Sequence, residues 1–172
     1  MACVTTQGFC RDCSDNTGGV EKLYILERSN ISAYVESGSE VTGITDGGAT
    51  WRIYELKKEI GSVTSTMTIS PENGTRFSES VVGFSINTFK AASVNELKVA
   101  LLGQLAVIVL DNNGRYWGLG FQSWAEGTSL VSQTGTAYGD QNGFAIEISA
   151  KEQQPPFEVA TSVISGLTAD CA

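Results

Sequence analysis

The chain has 172 residues, which suits one domain with a substantial buried core. Its net charge is −8 and it contains no histidine, which argues against a nucleic-acid-binding protein and lowers the expectation of an enzyme. Charged residues make up 17% of the chain, below the roughly 25% usual in globular domains. The resulting neutral surface is compatible with packing against copies of the same chain.

The chain is predicted to divide into an N-terminal arm, one β-rich domain and a C-terminal tail. Residues 1–19 have no apolar period and form a flexible arm, the β-rich domain covers 20–167, and a tail covers 168–172. We expect both ends to become ordered only on assembly. No stretch of about 18 apolar residues occurs, so no membrane span is predicted. The N-terminus lacks the pattern of a secretory signal, so we expect assembly in a cytoplasm.

The first half of the domain is predicted to form β-strands. The strand candidates are 20–27, 31–37, 40–46 and 50–59. Residues 62–70 alternate with period two, which is typical of a half-buried antiparallel strand. Pro71 and Asn73-Gly74 then supply turn chemistry before a long return strand over 76–86. We therefore predict a long hairpin over residues 51–86.

One α-helix is predicted near residues 93–103, flanking the sheet. Ser93 and Glu96 have the spacing of a capping box, and Gly103 fits the left-handed position that ends a helix. The apolar side chains at helical spacing are Val94, Leu97 and Leu101.

The clearest hairpin in the sequence is 105–120. An apolar run from Leu105 to Leu110 is followed by the turn Asn112-Asn113-Gly114 and an aromatic return strand. Residues 128–149 show the same pattern of strand, glycine-rich link and return strand, in which Phe144, Ile146 and Ile148 alternate with polar or small residues. A last strand is predicted over 157–165, after Pro155-Pro156. The fold class is therefore mainly β, a β-sandwich or partial barrel of antiparallel strands with one helix.

Four cysteines are the only candidates for a metal site, and they are weak ones. They are Cys3, Cys10, Cys13 and Cys171. Four thiolates can hold zinc if the termini meet, but a zinc ribbon uses two C-x-x-C knuckles and this chain has one. We favour ordinary thiols, with a disulfide within or between arms and a metal site as the alternatives. No cofactor is predicted.

No other cluster of residues predicts catalysis. The acidic turns 110–115 and 139–144 lack the ligands of a calcium loop and are interpreted as hairpin turns. The carboxylates Glu55 and Glu59 are expected to be solvated on one strand face. Without histidine or a G-x-S-x-G elbow no usual serine triad can form, so the chain is predicted not to be an enzyme. The tryptophans are expected to be core or interface anchors, and they are Trp51, Trp117 and Trp124.

Four segments of the chain carry a resemblance to a known class of proteins. They are "RDCSDNTGGVEKLYILE", "ELKKEIGSVTSTMTIS", "LGQLAVIVLDNNGRYWGLG" and "SQTGTAYGDQNGFAIEISAKEQQPPFEV". The chain resembles virion structural proteins of tailed phages that infect Bacteroidetes. The order of its elements is similar to that of phage tail tube proteins, which have a two-sheet β-sandwich or partial barrel, a long hairpin and one flanking helix.

The resemblance implies a subunit of the virion tail that assembles with itself. Six copies would form a ring, and rings would stack into a tube through which genomic DNA passes without specific binding. An acidic wall suits that passage because it repels phosphates. The implied partners are other copies and other virion proteins, with assembly in the host bacterial cytoplasm. The alternatives are an auxiliary capsid or head–tail connector protein and, in a third class, a metal-dependent module built on the N-terminal cysteines.

Overall fold

The structure is a computed structural model that describes Gly8, residues 16–87 and residues 89–171. The strands in this part of the chain are β1 Val20–Glu27, β2 Ala33–Ser37, β3 Glu40–Thr45, β4 Trp51–Glu55, β5 Ser62–Ser70, β6 Thr75–Ile86, β7 Leu105–Asp111, β8 Tyr116–Leu119, β9 Ala125–Gln133, β10 Gly143–Glu152, β11 Phe157–Val159 and β12 Ala169–Asp170. The helices are α1 Ala91–Leu102, α2 Thr161–Gly166 and a 3-10 turn over Arg28–Asn30. The predicted fold class, mainly β with one principal helix, is confirmed.

The strands form one 12-stranded sheet, whose two parts meet at a single residue pair between β7 and β9. One path runs in the order β2-β3-β11-β8-β7-β9-β10-β6-β5, while β1 pairs with β7 and β4, and β12 pairs with β4. Strands β7 and β9 share a single pair, Leu105 with Ala125. Most pairs are antiparallel as predicted, but β11 with β3 and β12 with β4 are parallel, so the sheet is mixed.

Strand β7 is buried on both of its faces and separates two hydrophobic cores. Leu105, Val107 and Val109 contribute to the first core, which also contains side chains of β1, β6 and β10. Ala106 and Ile108 point the other way, into the second core. The largest members of the second core are Trp51, Phe121 and Phe157. The continuous apolar run that marks β7 in the sequence therefore reflects burial from two sides.

Three predicted elements agree closely with the structure. Strand β1 covers 20–27 as expected. The 105–120 hairpin forms from β7 and β8, and Gly114 has the positive φ of 79° that its turn position requires. In β10, the alternation of Phe144, Ile146 and Ile148 places all three in the first core.

The predicted hairpin over 51–86 is wrong in its first third. Only β5 and β6 form the hairpin, from Ser62 paired with Gly83 to Ser70 paired with Thr75. Strand β4 is shorter than predicted and pairs with β1 and β12 instead. Trp51 is fully buried in the second core, so packing draws β4 away from the hairpin.

The predicted helix is present and ends at Gly103 as expected, but its predicted start and the predicted conformation of Gly103 are wrong. It begins at Ala91 after Lys90, with no side-chain cap, so Ser93 and Glu96 form no capping box. Phe89 stacks on Phe144 at a centroid distance of 5.1 Å and fixes the chain just before the helix. Gly103 has φ −85° instead of a left-handed conformation, because the chain continues directly into β7.

Only part of the predicted apolar face of α1 is buried. Leu97 is buried and Leu101 packs against the first core, whereas Val94 is 37% exposed. No described helix is long and apolar enough to cross a membrane.

The predicted last strand over 157–165 is corrected to a strand followed by a helix. Strand β11 ends at Val159 and α2 begins at Thr161. Val163, Ile164 and Leu167 then pack against the second core, which a helix allows and an extended chain does not. The segment predicted as a C-terminal tail contains β12, and Trp51 N–H donates to the Thr168 carbonyl at 2.8 Å. The described end of this tail is therefore ordered within one subunit.

Candidate functional site

Strand β5 is an open sheet edge. It pairs with β6 on one side and with no other strand in the described part of the chain. Its nine residues, SVTSTMTIS, include no charged residue and no proline, and its pairing with β6 shows no register shift. Natural edge strands are usually protected by lysine, proline, bulges or short length. β5 has none of these protections, so it is suited to pairing with another strand.

The β5–β6 hairpin extends beyond the sheet that carries it. The last pair between β10 and β6 is Glu152 with Ser78, whereas β5 and β6 stay paired to Thr75. Three large apolar side chains at this projecting end are exposed: Met67 at 41%, Ile69 at 64% and Phe77 at 39%. Register places Met67 and Ile69 on one face and Phe77 on the other. The tip therefore presents apolar surface on both faces.

The opposite end of the strand path is protected. Strand β2 has five residues, includes Glu36 and has a register irregularity between Val35 and Glu36. Short length, charge and a bulge all disfavour pairing with another chain. Of the two strands that end the path, β5 is the better surface for association.

A cleft of about 510 Å³ lies beside the start of β5. Its walls are mainly apolar and include Val20, Val63, Val109, Trp117 and Pro156. Ser65 also lines it. Strand β5 therefore contributes Ser62, Val63 and Ser65 to the cleft, and the side chains of Val63 and Ser65 lie on the same face as the exposed Met67 and Ile69.

Three serines join β5 to β6 beneath this edge. The hydroxyl of Ser65 lies 2.9 Å from that of Ser78 and accepts a hydrogen bond of 3.0 Å from Ser80. Ser78 and Ser80 are buried, and these contacts satisfy their hydroxyls. The cluster fixes the hairpin where the apolar core ends, so the projecting tip is held on a rigid base.

The base of the N-terminal arm is anchored on the β7–β8 turn. Thr17 N–H donates to Asn113 Oδ1 at 2.8 Å, and Asn113 Nδ2 donates back to the Thr17 carbonyl at 2.9 Å. Asn112 donates from its side chain to the Gly18 carbonyl at 2.6 Å and from its backbone to the Gly19 carbonyl at 3.2 Å. Sequence analysis interpreted both asparagines only as turn residues. The signal that could have indicated this anchoring is the pair of adjacent asparagines, since a turn of this kind needs only one.

Asp111 organises the same turn. Its carboxylate accepts hydrogen bonds from the backbone N–H of Asn113 at 2.8 Å and of Arg115 at 2.9 Å, and from the Trp117 indole at 3.1 Å. Burial alone would raise the pKa of Asp111, but the hydrogen bonds from Arg115, Trp117 and Asn113 outweigh it and the pKa is lowered. The Asp111 carboxylate is therefore hydrogen-bonded within the turn.

Of the four weak metal candidates, the structure describes only Cys171. Cys171 is exposed and free. Cys3, Cys10 and Cys13 lie outside the described residues, so the thiol and metal alternatives stay predictions. Within residues 16–87 and 89–171, no group of three or more His, Cys, Asp or Glu side chains is placed to hold a metal ion.

The two acidic segments are turns, as predicted. In the second segment, Asp140 accepts hydrogen bonds from the backbone N–H groups of Ala137 and Thr136, and these bonds lower the pKa of Asp140. The expectation that Glu55 and Glu59 share a strand face is wrong. Glu55 ends β4 and bonds Lys22 at 2.9 Å, whereas Glu59 lies in the following turn with φ 65°.

The tryptophans differ in environment. Trp51 is a core residue whose indole donates to Asp46 at 2.9 Å, and Trp117 is half-buried at the cleft. Trp124 is 42% exposed and its indole hydrogen-bonds Glu126. Trp124 thus adds exposed aromatic surface outside both cores.

Comparison with known proteins identifies no relative. No protein-family model, no curated protein and no solved structure matches the chain. The functional interpretation therefore depends on the residues and geometry described above.

Proposed function

We propose that the chain is a structural subunit of a tailed-phage virion that assembles with copies of itself, as a tail tube protein. Rings of the subunit, six copies in each, stack into a conduit for genomic DNA. The proposal combines the resemblance carried by the sequence with one structural observation. That observation is the uncharged, unprotected β5 edge on a hairpin that projects from the sheet.

The edge is suited to contacts between identical acidic subunits. With a net charge of −8, two copies repel each other wherever their acidic surfaces approach. Strand β5 contributes no charge, so backbone hydrogen bonds can form along it with little electrostatic cost. The exposed Met67 and Ile69 add apolar area that is removed from water when a neighbour covers them.

The same acidity fits the transport of DNA. A conduit must not hold the phosphate backbone, and a chain with 19 acidic and 11 basic side chains offers few sites for phosphate contacts. The proposed role requires no catalytic group and no cofactor, and it assigns none.

The test compares matched charge substitutions at two exposed apolar positions. Ile69→Asp alters the projecting hairpin, and Val35→Asp alters the protected β2 edge; the two side chains are 64% and 61% exposed. We expect the unchanged protein and Val35→Asp to form rings or tubes in negative-stain images, and Ile69→Asp to form none. Both variants should melt cooperatively, since neither position is in a core.

The outcomes separate the possible roles. Rings or tubes with six-fold symmetry support the proposal. Monomers of the unchanged protein at high concentration, or tubes formed equally well by Ile69→Asp, would contradict it. Discrete oligomers that bind empty capsids without forming tubes would replace it with the auxiliary capsid or head–tail connector role.

A further inference from the structure

We infer that β5 of a free subunit pairs antiparallel with β5 of a second copy, about a two-fold axis at Thr66. This dimer is a property of the unassembled protein, so the inference does not rest on the tail tube function. Three observations carry it: the symmetry of the strand, the cleft beside it, and the absence of charge along it.

The sequence of β5 is close to symmetric about its central residue. An antiparallel pair centred on Thr66 places Val63 opposite Ile69 of the second copy, and Thr64 opposite Thr68. The end residues Ser62 and Ser70 also meet. β-Branched residues thus face β-branched residues and serine faces serine, and such cross-strand pairs stabilise a sheet.

The same register fills the cleft. Val63 lines the cleft, and Ile69 of the second copy lies beside it on the same face of the extended sheet. Ser65 also lines the cleft and lies opposite Met67 of the second copy. The two exposed apolar side chains of each hairpin are therefore brought to the apolar cleft of the other subunit. The two-fold axis makes this contact twice, which buries both tips and both clefts.

Charge distinguishes this edge from the β2 edge at the other end of the strand path. An antiparallel β5 pair brings no charged side chain of either strand opposite another, although each chain carries −8. A corresponding pair through β2 would bring Glu36 into the contact. Like charges directly opposite each other destabilise a strand pair, so β5 is preferred.

A two-fold contact closes on itself and does not propagate. Copies in a ring or a stacked tube are related head to tail, so β5 must contact a different surface of its neighbour there. The dimer thus protects an edge that would otherwise promote aggregation, and it has to open before any head-to-tail assembly.

The test uses cysteines placed by the predicted register in the full chain. Residues opposite each other in an antiparallel pair have Cα atoms about 4.5–5.5 Å apart, within the range of a disulfide. We expect Thr66→Cys to form a disulfide between the two introduced thiols under mild oxidation, identified by peptide mass spectrometry so that native thiols do not interfere. Ser62→Cys alone should form no such link, because residues 62 of the two copies lie roughly 27 Å apart at about 3.4 Å per residue.

The matched pair completes the register test. An equimolar mixture of Ser62→Cys and Ser70→Cys should form a disulfide that joins position 62 of one copy to position 70 of the other. Failure to find the peptide linked through position 66 in Thr66→Cys, or a link in Ser62→Cys alone as strong as that in Thr66→Cys, would overturn the inference. Tubes formed without the link at position 66 would contradict the dimer but support the proposed function. Linked dimers that never form tubes would support the dimer and contradict the proposed function.

A charge variant tests the same contact without any disulfide cross-link. Thr66→Lys places two ammonium groups opposite each other at the axis, but within one subunit the new ammonium group faces Glu79, so the fold is retained. In sedimentation at concentrations below those at which rings or tubes form, we expect the unchanged protein at twice the monomer mass of 18.3 kDa and Thr66→Lys at the monomer mass. Ser37→Lys, on the β2 edge, should remain dimeric. A dimeric Thr66→Lys, or a monomeric unchanged protein, would overturn the inference.

Discussion

The indole N–H of Trp117 donates a hydrogen bond of 3.1 Å to the carboxylate of Asp111, and this bond joins the strands of the β7–β8 hairpin next to their turn. Asp111 also accepts from two backbone N–H groups of the turn. Because Asn112 and Asn113 in that turn hold the base of the N-terminal arm, one carboxylate supports both the hairpin and the place where the arm joins the domain.

Asp111→Asn should lower the free energy of unfolding by about 1–2 kcal/mol at neutral pH, since it removes the charge from three hydrogen bonds at a partly exposed site. Urea denaturation measures the effect, and Glu72→Gln in the exposed β5–β6 turn is the control. A change no larger than that of the control would show that the turn does not depend on the charge.

The effect of Asp111→Asn should depend on pH. The pKa of Asp111 is lowered below its ordinary value of 3.8 in the folded protein, so its contribution to stability is present above pH 3.8 and is lost as the pH falls through the folded pKa. The two proteins should therefore converge in stability below pH 3.8. A difference that stays constant down to the lowest pH at which both remain folded would contradict this linkage.

Gly114→Val should destabilise the fold by about 1–3 kcal/mol, because a β-branched residue resists the φ of 79° at this position. A Cβ at Gly114 meets nothing within 4 Å, so the cost comes from the backbone and not from a clash. Gly139→Val is the matched control, since Gly139 is equally open and has no positive φ. Equal melting temperatures of the two variants would contradict the turn assignment.

Asn113→Ala should release the base of the arm without unfolding the domain. The variant removes both bonds between the Asn113 side chain and Thr17. We expect faster amide hydrogen exchange at Thr17 and unchanged exchange in β7. Asn73→Ala, in the exposed turn of the other hairpin, should leave Thr17 unaffected. Slow exchange at Thr17 in Asn113→Ala would show that the arm is held by other contacts.

Deletion of residues 1–16 should leave the fold intact and impair assembly into tubes. In the described part of the chain, the hydrogen bonds that anchor the arm involve Thr17, Gly18 and Gly19, which the deletion retains. Cooperative melting measured by circular dichroism tests the fold, and negative-stain imaging tests assembly. Loss of cooperative melting would show that residues 1–16 belong to the folded domain, and tubes of normal length would show that assembly does not need them.

Elements with local signals were predictable from the sequence. These elements are strand β1, the β7–β8 hairpin and the alternation in β10. They depend on residues that are close in sequence and, in the hairpin, on one glycine with a positive φ, and such features can be recognised from the sequence alone. The start of α1 was not predictable, because the stacking of Phe89 on Phe144 joins residues far apart in sequence. For the same reason, the pairing of β4 with β1 could not be derived from the period of residues 51–55.

The site was predictable in part. The period of residues 62–70 indicated β5, but only the strand order shows that β5 lies at an edge. The helix α2 was missed because a short run containing Val163 and Ile164 suits a strand as well as a helix, and contact with the second core decides. The anchoring of Thr17 by Asn113 spans 96 positions and has no local signature.

Strand β7 contributes side chains to both cores, alternately along its length. Because the two cores share this strand, displacement of β7 would remove buried side chains from both cores at once. The stability of each core is therefore coupled to that of the other through a single segment of backbone.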